Sequence, residues 1–198
     1  AAVTSVAIGA VVMLTAVVAG GIGRSNRVNS AVVALTVAAL AAFVLGAAPA
    51  ALAGGGERFE DIFGGDLPDL LHATALLFVA YTGYGRIATL GEEVRDPRRT
   101  IPRAIVAALV VTMVLYVAVV GVGVGAVGAD GLADATLASA APLEVVARDL
   151  RLPTVAALVA AGAVTAMVGV LLNLLLGLSR VLLAMARRGD MPRAVSRV

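Results

Sequence analysis

Charge is confined to a few short stretches of this chain, and that clustering constrains its fold more than any other feature. Residues 1–23 carry no charged side chain. Apolar runs of similar length recur further along. A helix crosses a hydrocarbon core with about twenty apolar residues. The runs therefore predict transmembrane spans at about 1–23, 31–53, 70–91, 104–128 and 154–187, the last long enough to project beyond the bilayer. Composition agrees. The chain is 61% hydrophobic and 14% charged, with a mean hydropathy of +1.02. A soluble domain is about half apolar and about a quarter charged. The expected fold class is all-α, a polytopic membrane protein, with residues 1–198 as one transmembrane domain.

The same composition excludes much chemistry. No cysteine is present, so disulfides, thiolate metal sites and cysteine nucleophiles are ruled out. His72 is the one histidine, which leaves almost nothing for an imidazole metal site. It reads as a solvated residue near the outer end of the third span, with a proton sensor as the alternative. There are no paired carboxylates within the spans, no Ser-His-Asp set and no phosphate-cradling loop, so an enzyme is not expected and no cofactor is implied. All fifteen basic residues are arginine, and they follow membrane topology rather than forming a nucleic-acid patch. The connectors 24–30, 86–103 and 180–198 hold two, five and five of them, while 54–69 and 130–151 hold one and two. Arginine-rich loops stay in the cytoplasm. The first residue is therefore expected outside and the last inside. The chain begins at Ala1 with no basic leader and enters an apolar run at once, which reads as a piece of a longer protein.

The third span is the unusual one. Asp69 and Arg86 bracket sixteen uncharged residues, fewer than a full crossing needs, and Gly83 and Gly85 interrupt the segment. Irregular backbone at membrane depth is tolerated only where protein buries it or it lines a cavity. An interrupted apolar segment is thus the best sequence pointer to a transporter's binding site. If residues 80–85 are unwound, their carbonyls and amides suit a zwitterion such as an amino acid; a merely kinked helix is the alternative. Phe78, Tyr81 and Tyr84 gather three of seven aromatics in a turn and a half, as a gate or as packing. Arg86, Glu92 and Glu93 sit toward the cytoplasmic mouth as candidate gating charges; snorkelling and a solvated loop are the alternatives. Asn173 and Thr165 in the fifth span, and Thr36 in the second, need polar partners, which are a substrate, an ion or a neighbouring helix.

Phe78-Val-Ala-Tyr-Thr-Gly-Tyr84 resembles the sixth helix of the amino acid–polyamine–organocation permease superfamily, whose usual form is F-x-A-Y-x-G-F. Glu92-Glu93-Val-Arg-Asp-Pro97-Arg98-Arg-Thr-Ile-Pro102-Arg103-Ala-Ile105 resembles the cytoplasmic signature that follows it. Ser179-Arg180 through Met185 to Gly189-Asp-Met-Pro192 is similar to the end of the eighth helix, and Gly23 to Asn29 fits the connector between the fourth and fifth. The resemblance implies a five-plus-five inverted-repeat fold, of which this chain holds helices four to eight, with the third span broken. It also implies that Phe78, Val79, Ala80, Tyr81, Thr82 and Gly83 form the substrate-binding stretch, with Asn173 as a further candidate and Tyr84, Arg86, Glu92 and Glu93 at the gate. Thr36 stands near where some proton-coupled relatives carry a lysine, and a threonine cannot carry that proton.

The expected function is secondary active transport of a small amino acid by alternating access in the cell membrane. Its partners would be the substrate, the bilayer and the missing helices of the same permease. Coupling to protons or sodium stays open. Two other readings are a polyamine or organocation carrier of the same fold and an accessory membrane subunit without transport activity.

Overall fold

The computed structural model describes residues 2–19, 22–59, 65–83, 94 and 96–190. Among them the chain is helical and has no strand: α1 (Ala2–Ala19), α2 (Ile22–Ala53), a 3-10 turn (Gly56–Phe59), α3 (Leu67–Tyr81), α4 (Pro97–Ala138), α5 (Pro142–Asp149) and α6 (Pro153–Arg188). Three of these are long and apolar enough to cross a membrane: α4, α6 and the Asn26–Ala53 part of α2. Shorter apolar segments are Ala7–Ala16 in α1 and Leu67–Tyr81 in α3.

Several boundaries differ from the sequence expectation, each for a local reason. The polar stretch 24–30 was expected as a connector, but it lies inside α2. Its arginines and asparagines are compatible with helix, and no proline stops them. Helix α4 starts at Pro97, ahead of the span expected from about residue 104, and a proline suits its first turn. Its far end runs on to Ala138, and α5 follows at Pro142–Asp149, so most of the acidic stretch 130–151 is helical rather than loop.

The helices gather into two compact units: residues 1–37 with 162–198, and residues 38–161. In the first, α2 and α6 run antiparallel, with Asn29 meeting Asn173 and Thr36 near Thr165. Between these contacts a Cβ on Gly169 would lie 2.7 Å from Val32 Cγ1, so the missing side chain sets the approach. Leu14 and Leu172 are fully buried in this unit.

The second unit has a core of Phe43, Ala47, Ala126, Ala135, Val146, Ala147, Ala156 and Val159. Helix α5 contributes its apolar face, Val146 and Ala147, while Glu144 and Arg148 pair one turn apart on the wetter face.

Helix α4 is interrupted at Gly128, whose φ of 82° and ψ of 167° are open to glycine and strained for other residues. A residue at those angles prevents the amides of residues 129 and 130 from reaching the carbonyls of Gly125 and Ala126. The Arg58 guanidinium, carried on the 3-10 turn, donates to both carbonyls. The loop arginine thus caps the first segment of α4. In the full-length protein Arg58→Ala is expected to cost about 2 kcal/mol, since it leaves two carbonyls without a charged donor. Thermal unfolding in detergent checks this, with a lowered Tm expected and Arg58→Lys recovering part of the loss.

Candidate functional site

Helix α3 opens with Asp66, Pro68 and Asp69, a start set by proline in the first turn and acid at the positive helix end. It ends at Tyr81, still within the uncharged segment. The Thr82 amide donates to the Val79 carbonyl, and the Thr82 hydroxyl donates to the same oxygen at 2.7 Å. The last turn is thus tightened to 3-10 geometry through Gly83. A Cβ on Gly83 would meet nothing within 4 Å among the described residues. Phe78 and Val79 are exposed, at 68% and 66%. The end of α3 therefore presents main chain and uncovered side chains rather than a packed surface. Tyr84, Arg86, Glu92 and Glu93 lie outside the described residues.

Tyr81 is the half-buried member of the stretch, and its ring stands edge-on to Tyr116 of α4, with centroids 5.4 Å apart and planes at 67°. Such T-shaped pairs contribute about 0.5–1.5 kcal/mol beyond area burial. The two rings border a cavity of about 440 Å³ completed by Leu77, Met113, Val117, Val120 and Gly121. None of these seven side chains is charged. Sequence reasoning missed Tyr116. The signal available was its rarity, one of three tyrosines, at helical spacing from Met113 and Val120.

Asn173 belongs to the other unit. Its amide nitrogen donates to Asn29 Oδ1 at 2.9 Å and to the Gly169 carbonyl at 2.9 Å. Both amide protons are thus engaged, and the contact is helix to helix. Asn29, expected in a connector, is the partner that sequence reasoning did not supply. Thr36 and Thr165 approach at 3.4 Å, but each hydroxyl also donates to its own helix, to Val32 and Gly162. One proton per hydroxyl makes their mutual contact the weaker one. A double-mutant cycle with Asn29→Leu and Asn173→Leu, read by thermal unfolding, is expected to give a coupling of about 0.6 kcal/mol. Among the described residues no group of three or more acidic or histidine side chains is placed to hold a metal ion.

The sequence profile described as amino acid permease matches residues 1–198. An uncharacterized transporter of Mycobacterium tuberculosis is 42% identical over 194 residues, 98% of this chain and 43% of that protein. A branched-chain amino acid permease of Bacillus subtilis is 31% identical over 179 residues, 90% of this chain and 37% of that protein. A methylthioribose transporter of the same organism is 28% identical over 192 residues, 95% and 39%. The chain thus spans less than half the length of these relatives. No solved structure matches it.

Proposed function

The chain belongs to the amino acid permease family, and on that premise we propose that it is part of a multi-pass membrane transporter that moves amino acids by alternating access. Substrate binds at Phe78, Val79, Ala80, Tyr81, Thr82 and Gly83, chiefly through main chain. The observation that carries this reading is the end of α3 at Tyr81 inside a segment without charge. A helix carboxyl end holds about half a negative charge on unpaired carbonyls, which suits the substrate's α-ammonium. Asn173 serves the α2–α6 contact, where its amide nitrogen is engaged by Asn29 and the Gly169 carbonyl. Tyr84, Arg86, Glu92 and Glu93 gate the cytoplasmic mouth. The first residue faces outward and the last faces the cytoplasm. The exposed face of α3 packs against other parts of the longer transporter.

An amino acid is favoured over a polyamine on electrostatic grounds. A zwitterion brings its own countercharge into the membrane, whereas a polyamine needs protein acids at depth. The described segments Leu70–Gly83 and 104–129 contain none. The test is binding of labelled leucine to the purified full-length protein, competed with unlabelled leucine, isoamylamine, 4-methylpentanoate and putrescine. Leucine alone is expected to compete at micromolar to millimolar levels, because both α-groups are needed. Competition by the amine or by putrescine as strong as by leucine would replace the amino acid reading with the organocation carrier.

A further inference from the structure

The cavity beside Tyr81 has a construction that the binding stretch alone does not explain. On α4 it is lined by residues 113, 116, 117, 120 and 121, the spacing of a single helical face. On α3 it is lined by Leu77 and Tyr81, again one turn apart. The two faces are joined by the edge-on contact of Tyr81 and Tyr116. The space is an open groove of about 440 Å³, with Leu77, Met113, Val117 and Val120 each more than half exposed among the described residues, and its size falls within the range of small-molecule sites, about 300–1,000 Å³. Its walls are aliphatic and aromatic, with no charge. Tyr81 is both a wall of this cavity and the last residue of α3, directly before the Thr82–Gly83 turn. A ligand whose charged α-groups sit at that turn has the cavity next to it.

We propose that this cavity receives the side chain of the transported amino acid, with Tyr116 as a specificity-determining residue. The inference rests on the amino acid transport reading above and narrows it. The substrate class is an amino acid with an uncharged, bulky side chain, branched aliphatic or aromatic. A lysine or glutamate side chain would find no charged partner on these walls. Tyr116 acts through its ring: it bounds the cavity and holds Tyr81 by an edge-to-face contact that needs no hydroxyl.

Gly121 supplies a clean way to fill the space, because a Cβ there meets nothing within 4 Å. The experiment measures KM for alanine, leucine and phenylalanine in proteoliposomes holding the full-length transporter, wild type against Gly121→Leu, Tyr116→Phe and Tyr116→Ala. In Gly121→Leu the KM for phenylalanine and leucine is expected to rise about tenfold, with alanine within about twofold. Tyr116→Phe is expected to keep the wild-type ratios, and Tyr116→Ala to lose preference between leucine and phenylalanine. A second measurement needs no variant. A diazirine analogue of leucine, photolysed in the wild-type protein, is expected to label residues within 113–121, and excess leucine to suppress the label. Unchanged KM ratios in Gly121→Leu, with labels elsewhere, would overturn the inference and leave the cavity to lipid chains or packing. Wild-type protein that transports no amino acid would overturn the transport reading itself, and this inference with it.

Discussion

Gly125→Leu is expected to destabilise the full-length transporter by about 3 kcal/mol, the upper end of the usual cost of overpacking. Gly125 is buried where α2 and α4 meet. A Cβ added there would lie 2.9 Å from Ala51 Cβ, 3.3 Å from Ala51 Cα and 3.3 Å from the Phe59 ring. Main chain is among these neighbours, so rotamer changes cannot relieve the clash. Across the same contact, a Cβ on Gly54 would lie 2.5 Å from the Gly125 carbonyl oxygen. Separation would also draw that carbonyl and its neighbour away from Arg58. The comparison that isolates the effect is Gly121→Leu, one turn earlier in the same helix, where the added side chain enters open space. That variant is expected to unfold within about 0.5 kcal/mol of wild type, as substitutions away from packed contacts do. Thermal unfolding in detergent, with the monodisperse fraction after heating, checks both. Equal Tm values for the two variants would mean that the α2–α4 approach is not set by its glycines.

Tyr81→Ala is expected to lower kcat/KM for leucine uptake about thirtyfold, equivalent to about 2 kcal/mol. Truncation removes the edge-on contact with Tyr116 and opens the groove wall next to the turn proposed to hold the substrate's α-groups. Tyr81→Phe keeps the ring and is expected within about threefold of wild type, since the pair rests on ring geometry. The loss in Tyr81→Ala should fall mainly on KM, because the ring meets substrate in the ground state as well as during passage. A fall in the maximal rate with unchanged KM would instead make Tyr81 a gate residue that does not touch the bound substrate.

The all-helical class and the three membrane-length helices were legible in the sequence because charge clustering reports long apolar segments directly, whereas the spans expected at about 1–23 and 70–91 correspond, among the described residues, only to the shorter apolar segments Ala7–Ala16 and Leu67–Tyr81. Phe78 to Gly83 was singled out for a different reason: glycine and aromatic residues within a short uncharged run break the pattern of an ordinary span, and α3 ends within that run, at Tyr81. Long-range partners were not legible. Nothing local in Arg58 indicates that its guanidinium caps the Gly125 and Ala126 carbonyls, residues 67 and 68 positions away. Asn173 was read as polar and in need of a partner, but Asn29 was assigned to a connector. Helix propensity is a weak prior, and polar residues at 24–30 looked like loop when they extend α2. Tyr116 escaped because a single aromatic in an apolar helix is usually packing, and only its contact with Tyr81 across the fold gives it a role.

Uptake of a labelled amino acid panel by the full-length transporter in proteoliposomes, with and without an imposed pH gradient, tests the transport function most directly. Saturable uptake of leucine, isoleucine and phenylalanine, competed by one another and not by putrescine, is the expected result. A gradient response would show that proton coupling proceeds without a lysine at position 36. Absence of saturable uptake for every amino acid, from protein shown to be folded and inserted, would contradict an amino acid transporter built on the end of α3.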